Sequence, residues 1–388
     1  MNQGKYVFSQ IMESVVRYQF NNCVKRFQGE YRVRNFSCWQ QFLAMAFGQL
    51  SFRESLRDII VCLNAQGEKL YHLGFGSAIS RATLADANER RDWRIYRDYA
   101  NLLIAEARKL YARDKPDNLE LEGTVYVIDS TTIELCLGLF PWAKLKTVRA
   151  AVKLNLEMEL RGSIPAFFDI SSAKRHDLEF LDLLVYEAGA YYVVDRGYTD
   201  FERLFRIHEA KAFFVIRAKD NFHFKRLYSK KVDRKSGIIC DQIVRLASYQ
   251  PAKDYLEKLR RIKFHDAETS STYVFLTNNF ELPALTAASL YKYRWQIELF
   301  FKWVKQHLSI KSFWGRSNNA VKTQICIALC AYLLVAILKK KLRIERNSYE
   351  ILQILSVSMF DKTPLIKLIS ESVLPEESTQ IQNQAQLW

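Results

Sequence analysis

The chain has 388 residues, 49% of them hydrophobic, and 57 Lys and Arg against 42 Asp and Glu give it a formal charge of +15. The apolar share excludes general disorder, and the length points to two or three domains. The basic balance, with a sequence pI near 9.4, fits a phosphate-rich partner; a charge excess serving solubility is the plain alternative.

Six widely spread histidines and seven cysteines without a CxxC pair form no zinc pattern. Cys62, Cys136, Cys326 and Cys330 stand in apolar contexts and read as core filling in a reducing compartment. The start, MNQGKYVFSQ, is polar and does not read as a signal peptide.

Residues 1–115 read mostly as helix. SFRESLRDIIVCL (51–63) has apolar residues at helical spacing, with Ser51 as a candidate cap and Glu54 three positions on. After the glycine-bearing turn HLGFGSAIS, Ser80 caps a helix running through SRATLADANERRDWRIYRDYANLLIAEARKLY. This helix–turn–helix order suits major-groove reading, with Arg81, Thr83, Asn88 and Arg91 as candidate contacts; two helices that merely adjoin are the plain alternative.

The polar, proline-bearing stretch 112–122 marks a boundary. Beyond it the period changes. TVYVIDST, TVRAAVKLNLEMEL and SIPAFFDIS read as three meandering strands, LEFLDLLVYEAG as helix, AYYVVDRG as strand, FERLFRIHEA as a short helix and AFFVIRAK as a fifth strand. Together they predict a mixed sheet covered by helices. Residues 219–284 hold short strand candidates between stretches dense in Lys and Arg, a β-rich insertion that is either a solvated excursion or a DNA-facing lobe. Leu285 to Leu308 reads as one helix, and Asn318 to Leu342 as another. Its apolar run, Ile325 to Leu338, spans 14 residues, short for a membrane span and suited to a buried helix ending at Lys339, Lys340 and Lys341. Shorter helices follow Asn347, and the end is a polar tail.

Three acidic residues stand out. Asp129 ends the apolar run VYVI, Asp195 ends AYYVV, and Glu298 lies on the aromatic and basic helix. Asp169, on the third strand, reads as a cap or turn residue, Asp177 and Asp182 as helix-start and helix-surface residues. Tyr291, Arg294, Glu298 and Lys305 fall within roughly 60° on one helix face, and Ile297, Phe301, Val304 and Leu308 form an apolar stripe beside them. Carboxylates beside such cations suit metals next to phosphates held by arginine and lysine. The bland alternative is an i, i+4 Arg294–Glu298 surface pair, contributing about 0.3–0.5 kcal/mol.

These residues resemble a known family. Tyr291, Arg294, Glu298 and Lys305 match the pattern Y-x2-R-x3-E-x6-K of the IS4-type insertion-sequence transposases, which are DDE transposases with an RNase H-like catalytic domain. DST at 129–131 resembles the family's first-aspartate motif, DRGY at 195–198 followed by Asp200 and Phe201 its second, and RAK at 217–219 the strand after it. The resemblance covers about residues 120–340, and SRATLADANERRDW resembles the small DNA-binding domain of such proteins.

The resemblance implies an α/β fold: an RNase H-like mixed sheet flanked by helices at 120–345 with a β-rich insertion at 219–284, an N-terminal helical DNA-binding domain at 1–115, and a C-terminal helical extension and polar tail at 346–388. It implies Asp129, Asp195 and Glu298 as catalytic residues and metal ligands for two Mg²⁺ ions, with Mn²⁺ as substitute. Tyr291, Arg294 and Lys305 would contact DNA phosphates, joined by Arg81, Arg91, Arg217 and Lys219. The implied partners are double-stranded DNA, as terminal inverted repeats and target, and a second copy of the chain; no membrane is expected. The implied setting is the bacterial cytoplasm, at the nucleoid. The implied reaction is nicking at an element end, hairpin formation by the freed 3′-OH, reopening and strand transfer. Asn155 departs from a histidine frequent in relatives. No tryptophan lies between Trp142 and Trp295, so stacking on a flipped base would fall to Tyr228, Tyr249, Tyr255 or Tyr273. The competing readings are a nuclease of the same fold that does not join, and an inactive DNA-binding descendant.

Overall fold

The computed structural model describes residues 4–114, 121–147, 149–219, 223–310 and 312–370. The chain opens with seven helices: α1 (Val7–Glu13), α2 (Arg17–Arg26), α3 (Cys38–Leu50), α4 (Leu56–Asn64), α5 (Lys69–His72), α6 (Arg81–Arg90) and α7 (Arg94–Tyr111). Side-chain caps set several of their starts. Ser37 and Gln40 form a reciprocal capping box on α3, and Ser80 accepts from the Thr83 amide to open α6, as the sequence predicts.

Two expectations here are corrected. Ser55, not Ser51, caps α4, because Ser51 closes α3 and its hydroxyl donates to the Phe47 carbonyl at 2.6 Å. The helix expected to run on from Ser80 is broken between α6 and α7. Asn319, from a distant helix, satisfies the backbone at the break: its amide donates to the carbonyls of Asn88 (2.8 Å) and Arg91 (2.6 Å), and its oxygen accepts from Trp93 N–H (3.2 Å).

The strands are β1 (Val125–Leu135), β2 (Lys144–Lys146), β3 (Arg149–Glu159), β4 (Ile164–Ser172), β5 (Tyr191–Val194), β6 (Phe213–Arg217), β7 (Phe224–Lys230), β8 (Ile238–Leu246), β9 (Leu259–Asp266) and β10 (Ser271–Thr277). Helix α8 (Phe201–Glu209) joins β5 to β6, and α9 (Tyr249–Asp254) joins β8 to β9. Among the described residues these ten strands form one mixed sheet in the order β2-β3-β1-β5-β6-β10-β9-β8-β7, with β4 on β3. Strands β1, β5 and β6 are parallel; β3 runs antiparallel to β1, and β10 to β6. The β-rich segment predicted at 219–284 therefore extends the main sheet edgewise.

LEFLDLLVYEAG does not form the expected α-helix. It is a 3₁₀ turn, Asp177–Leu183, bracketed by His176, whose ring nitrogen accepts from Leu178 N–H, and by Tyr186, whose hydroxyl donates to the Leu181 carbonyl at 3.0 Å. Ion pairs to Arg203 (2.7 Å) and Arg206 (2.8 Å) of α8 tie down Asp182.

Among the described residues five more helices follow: α10 (Ala284–Tyr293), α11 (Trp295–His307), α12 (Asn318–Lys341), α13 (Ser348–Ser358) and α14 (Leu365–Ser370). The predicted helix Leu285–Leu308 is interrupted at Arg294, where tightened bonds, Arg294 N–H to Tyr291 O and Ile297 N–H to Arg294 O, separate α10 from α11. Among the described residues α12 alone is long and apolar enough to cross a membrane, yet it is a core helix: it packs on α7 and α3, and its last-turn lysines pair with acids around α7, Lys341 with Glu106 at 3.1 Å and Lys340 with Asp114. Helices α13 and α14 return to the first helix. Val7 N–H donates to the Asp361 carbonyl (2.8 Å), and the Gln10 side chain bonds Thr363 O (2.8 Å) and Leu365 N–H (2.7 Å).

One apolar cluster thus runs from Tyr6 to Ile369 on one side of the sheet, with a second on the other face. Cys326 and Cys330 are buried as expected, whereas Cys62 is half-buried and Cys136 exposed, because its apolar neighbours lie in a turn after β1.

Candidate active site

The sheet register builds the site. Parallel pairing of β1 with β5 ends at Ile128↔Val194, and that of β5 with β6 at Val194↔Ile216. One residue further, Asp129, Asp195 and Arg217 stand in a row at the carboxyl edge of three neighbouring strands, where sites form in such sheets. Asp129 does not end its strand: β1 continues to Leu135, paired along its whole outer length with β3.

Helices α10 and α11 cover this row. The Tyr291 hydroxyl donates to Asp195 Oδ1 at 2.8 Å. Arg294 reaches Asp129 Oδ2 through Nη1 at 3.3 Å and Glu298 Oε1 through Nη2. Lys305 Nζ donates to the Thr132 carbonyl at 3.0 Å. The four residues predicted to share a helix face all point toward β1 and β5 despite the interruption. The i, i+4 pair Arg294–Glu298 is present, but the guanidinium side chain is only 16% exposed and bridges to the strand, so it is no surface pair.

Burial pushes the Asp129 carboxyl up to about 6; the Ser130 amide and Arg294 oppose this, and the negative charges of Glu298 and Asp195 add to it. The three carboxylates therefore share one electrostatic environment. Burial also raises the Tyr291 phenol, reinforced by Asp195, so it remains a donor at neutral pH. Among the described residues no three His, Cys, Asp or Glu side chains are gathered closely enough to hold a metal ion. The donor set nevertheless fits a hard divalent cation: carboxylate oxygens on rigid strands and a helix, with a guanidinium now supplying the positive charge.

The raised Asp129 value makes a stability prediction. In the folded chain this group holds its proton up to about pH 6, against an ordinary 3.8, so its contribution to stability is full at low pH and is lost as pH rises through 6. Asp129→Asn is expected to stabilise the metal-free protein by up to about 3 kcal/mol at pH 8 and by almost nothing below pH about 4. Urea unfolding at the two pH values checks this; equal midpoints at pH 8 would contradict it.

The other candidates scatter. Arg217 stacks over the Tyr273 ring at 5.3 Å, and Lys219 Nζ donates to Thr199 O at 3.4 Å. Arg81 and Thr83 are exposed in the first turn of α6. Asn88 is not: it is 1% exposed and accepts from Gln41 at 2.7 Å. Arg91 also turns inward, donating to the carbonyls of Ser37 (2.8 Å) and Phe36 and to Gln41 Oε1 (3.1 Å). These two hold helices together. Arg91→Ala should cost about 2 kcal/mol of stability and leave the salt dependence of DNA binding unchanged. A log–log slope lower by about one would instead reveal a phosphate contact.

Asp169 lies in β4 and pairs with Arg175 at 3.1 Å, and buried Asn155 donates to Ser171 Oγ at 3.0 Å. Of the four tyrosines, Tyr255 is fully buried, Tyr228 and Tyr249 are exposed, and Tyr273 lies 6.3 Å from the Tyr291 ring. Tyr273 and Tyr291 line a cleft of about 500 Å³ with Phe264, Phe275, Arg294 and Trp295.

Sequence reasoning missed a polar cluster behind Asp129. Ser130 Oγ donates to Asp177 at 2.6 Å, and Lys153 pairs with Asp177 at 2.8 Å. The alternation in VKLNLEME, which puts Lys153, Asn155, Glu157 and Glu159 on one face of β3, was the available signal.

The family described as "Transposase DDE domain" matches residues 120–334, and a domain of unknown function, DUF4372, matches residues 3–76. A protein of Sinorhizobium fredii described as a transposase, y4zB, is 36% identical over 265 residues, covering 67% of this chain and 72% of that protein. One of Geobacillus stearothermophilus, described as a transposase for insertion sequence element IS5377, is 34% identical over 59% of this chain and 60% of its own length. One of Synechocystis, described as a transposase for IS4SA, is 24% identical over 82% of this chain and 87% of its own length. Among solved structures, a piggyBac transposase synaptic complex with hairpin DNA superposes with a TM-score of 0.45 at 10% identity, covering 95% of this chain and 80% of that one, a likeness too loose to carry any correspondence of sites. The chain belongs to the DDE transposases, enzymes that act on DNA, and is related to those of IS4- and IS5-like insertion sequences.

Proposed function

We propose that the chain is the transposase of an insertion sequence, with Asp129, Asp195 and Glu298 as its catalytic carboxylates. The observation that carries this reading is the strand register that sets Asp129 beside Asp195 beneath the helix bearing Glu298. Those three residues would hold two Mg²⁺ ions, or Mn²⁺. When bound there, the metal supplies Lewis-acid activation of the attacking and leaving oxygens of a phosphoryl transfer.

The chain's own residues do the positioning. Tyr291 holds Asp195 in place; Arg294 on the carboxylates, with Arg217, Lys305 and, farther off at Thr199, Lys219, would present positive charge to a DNA backbone. No protein nucleophile is required, since water and then a DNA 3′-OH attack in turn. Residues 1–115, with Arg81 exposed on α6, serve as the DNA-binding part, residues 120–345 as the catalytic part with 219–284 as its β-rich insertion, and residues 346–388 as an extension. Two copies bring two element ends together, in the bacterial cytoplasm at the nucleoid.

Strand transfer tests the reading. A precleaved element end carrying a 3′-OH, incubated with the protein, a target plasmid and Mg²⁺ or Mn²⁺, should yield joined product. Folded protein that nicks the uncut end yet never joins would mark a hydrolytic nuclease of the same fold.

A further inference from the structure

The side chain at the centre of the site is a cation, not a ligand. Arg294 contributes one guanidinium nitrogen to Asp129 and another to Glu298, so it takes up one oxygen of each of two residues that a metal would need. Its third nitrogen, Nε, is buried without a hydrogen-bond partner, so the side chain is incompletely satisfied where it lies. Arg294 also lines a cleft with Tyr273, Tyr291 and Trp295, where Lys292 is paired with Asp266 and Glu268. Arg294 sits at the junction of α10 and α11, between two helices rather than inside one.

We infer that Arg294 makes metal loading conditional on DNA: its guanidinium is the resident counter-ion of Asp129 and Glu298 until a DNA phosphate brought against it draws it away. This inference rests on the assignment of the three carboxylates proposed above. Two cations cannot share the same carboxylate oxygens without mutual repulsion, so guanidinium and metal exclude each other there. A phosphate offers the guanidinium two parallel bonds in exchange for the two it gives up. DNA and metal then strengthen each other's binding reciprocally. The free protein is thereby kept from hydrolysing phosphodiesters away from an element end, which makes Arg294 a residue of specificity as well as of DNA contact.

Mn²⁺ binding followed by electron paramagnetic resonance tests this without turnover. The DNA is a precleaved end duplex with a 3′-deoxy terminus, and Mn²⁺ held by the duplex alone is subtracted. Free wild-type protein should bind Mn²⁺ about tenfold or more weakly than the protein–duplex complex. DNA oxygens could by themselves improve the site in the complex, so the deciding comparison is in the free protein: Arg294→Ala should bind Mn²⁺ about tenfold or more tightly than wild type. Arg294→Gln, closer in size, should do the same, and both are checked for a cooperative thermal transition. Free variants that bind no more tightly than wild type would overturn the gate, as would a wild type that binds equally with and without duplex. Should neither variant fold, Arg294→Lys, whose single ammonium lacks the fork that bridges both carboxylates, takes their place under the same criterion. Failure of the underlying assignment looks different: Asp129→Asn and Glu298→Gln would leave Mn²⁺ binding in the complex unchanged.

Discussion

Glu298→Gln should abolish cutting of an element end while binding of that end survives. The substitution keeps size and shape, and the amide oxygen still accepts from Arg294, four residues before it on the same α10–α11 segment. What disappears is one negative charge from a three-carboxylate set. In the proposed mechanism that charge would help hold the two ions whose Lewis acidity serves the phosphoryl transfer, so the loss should be about a thousandfold or more in rate, about 4 kcal/mol of transition-state stabilisation. Gel-shift and cleavage assays on one labelled end duplex read both properties at once. Cleavage at the wild-type rate would remove Glu298 from the catalytic set, whereas loss of binding and cleavage together would point to a folding defect.

Arg260→Ala should unfold the β8–β9 region at far lower denaturant than wild type. Arg260 is 3% exposed and grips Asp241 through two parallel bonds, at 2.9 and 2.7 Å, while its remaining nitrogen serves the carbonyls of Asn279 (3.3 Å), Phe280 (3.4 Å) and Leu282. Truncation strands a buried carboxylate and several buried carbonyls, at a cost of about 3–5 kcal/mol. The damage reaches the site, because residues 279–282 lead directly into α10, which seats Tyr291 against Asp195. An apolar pair, Arg260→Met with Asp241→Leu, should recover most of the loss, because it removes both charges together. A urea midpoint for Arg260→Ala equal to that of wild type would refute this account.

The site was more legible in the sequence than the fold around it. Apolar runs that stop at an acid mark strand positions where a carboxylate leaves the core, and helical spacing alone put Tyr291, Arg294, Glu298 and Lys305 on one side. Neither signal depends on distant partners. What escaped was decided by such partners. The break between α6 and α7 depends on Asn319, more than two hundred positions away, and the inward turn of Arg91 on the carbonyls of Phe36 and Ser37. The 3₁₀ turn at Asp177–Leu183 has the composition of an α-helix and is held short by α8 and Tyr186. The β-rich segment was recognised as strands, but its attachment to β6 is a matter of register, which local pattern cannot supply.

The return of α13 and α14 to α1 has a consequence for biosynthesis. As the chain leaves the ribosome, the opening helices emerge without Asp361, Thr363 and Leu365, which bond Val7 and Gln10, and without α12, which fills the space beside α7. The first helix made therefore gains these partners only once residues 361–365 have emerged, a departure from the usual order in which early domains complete themselves first. A message cut off soon after Glu298 would leave α1 without those bonds and α7 without the helix that packs on it.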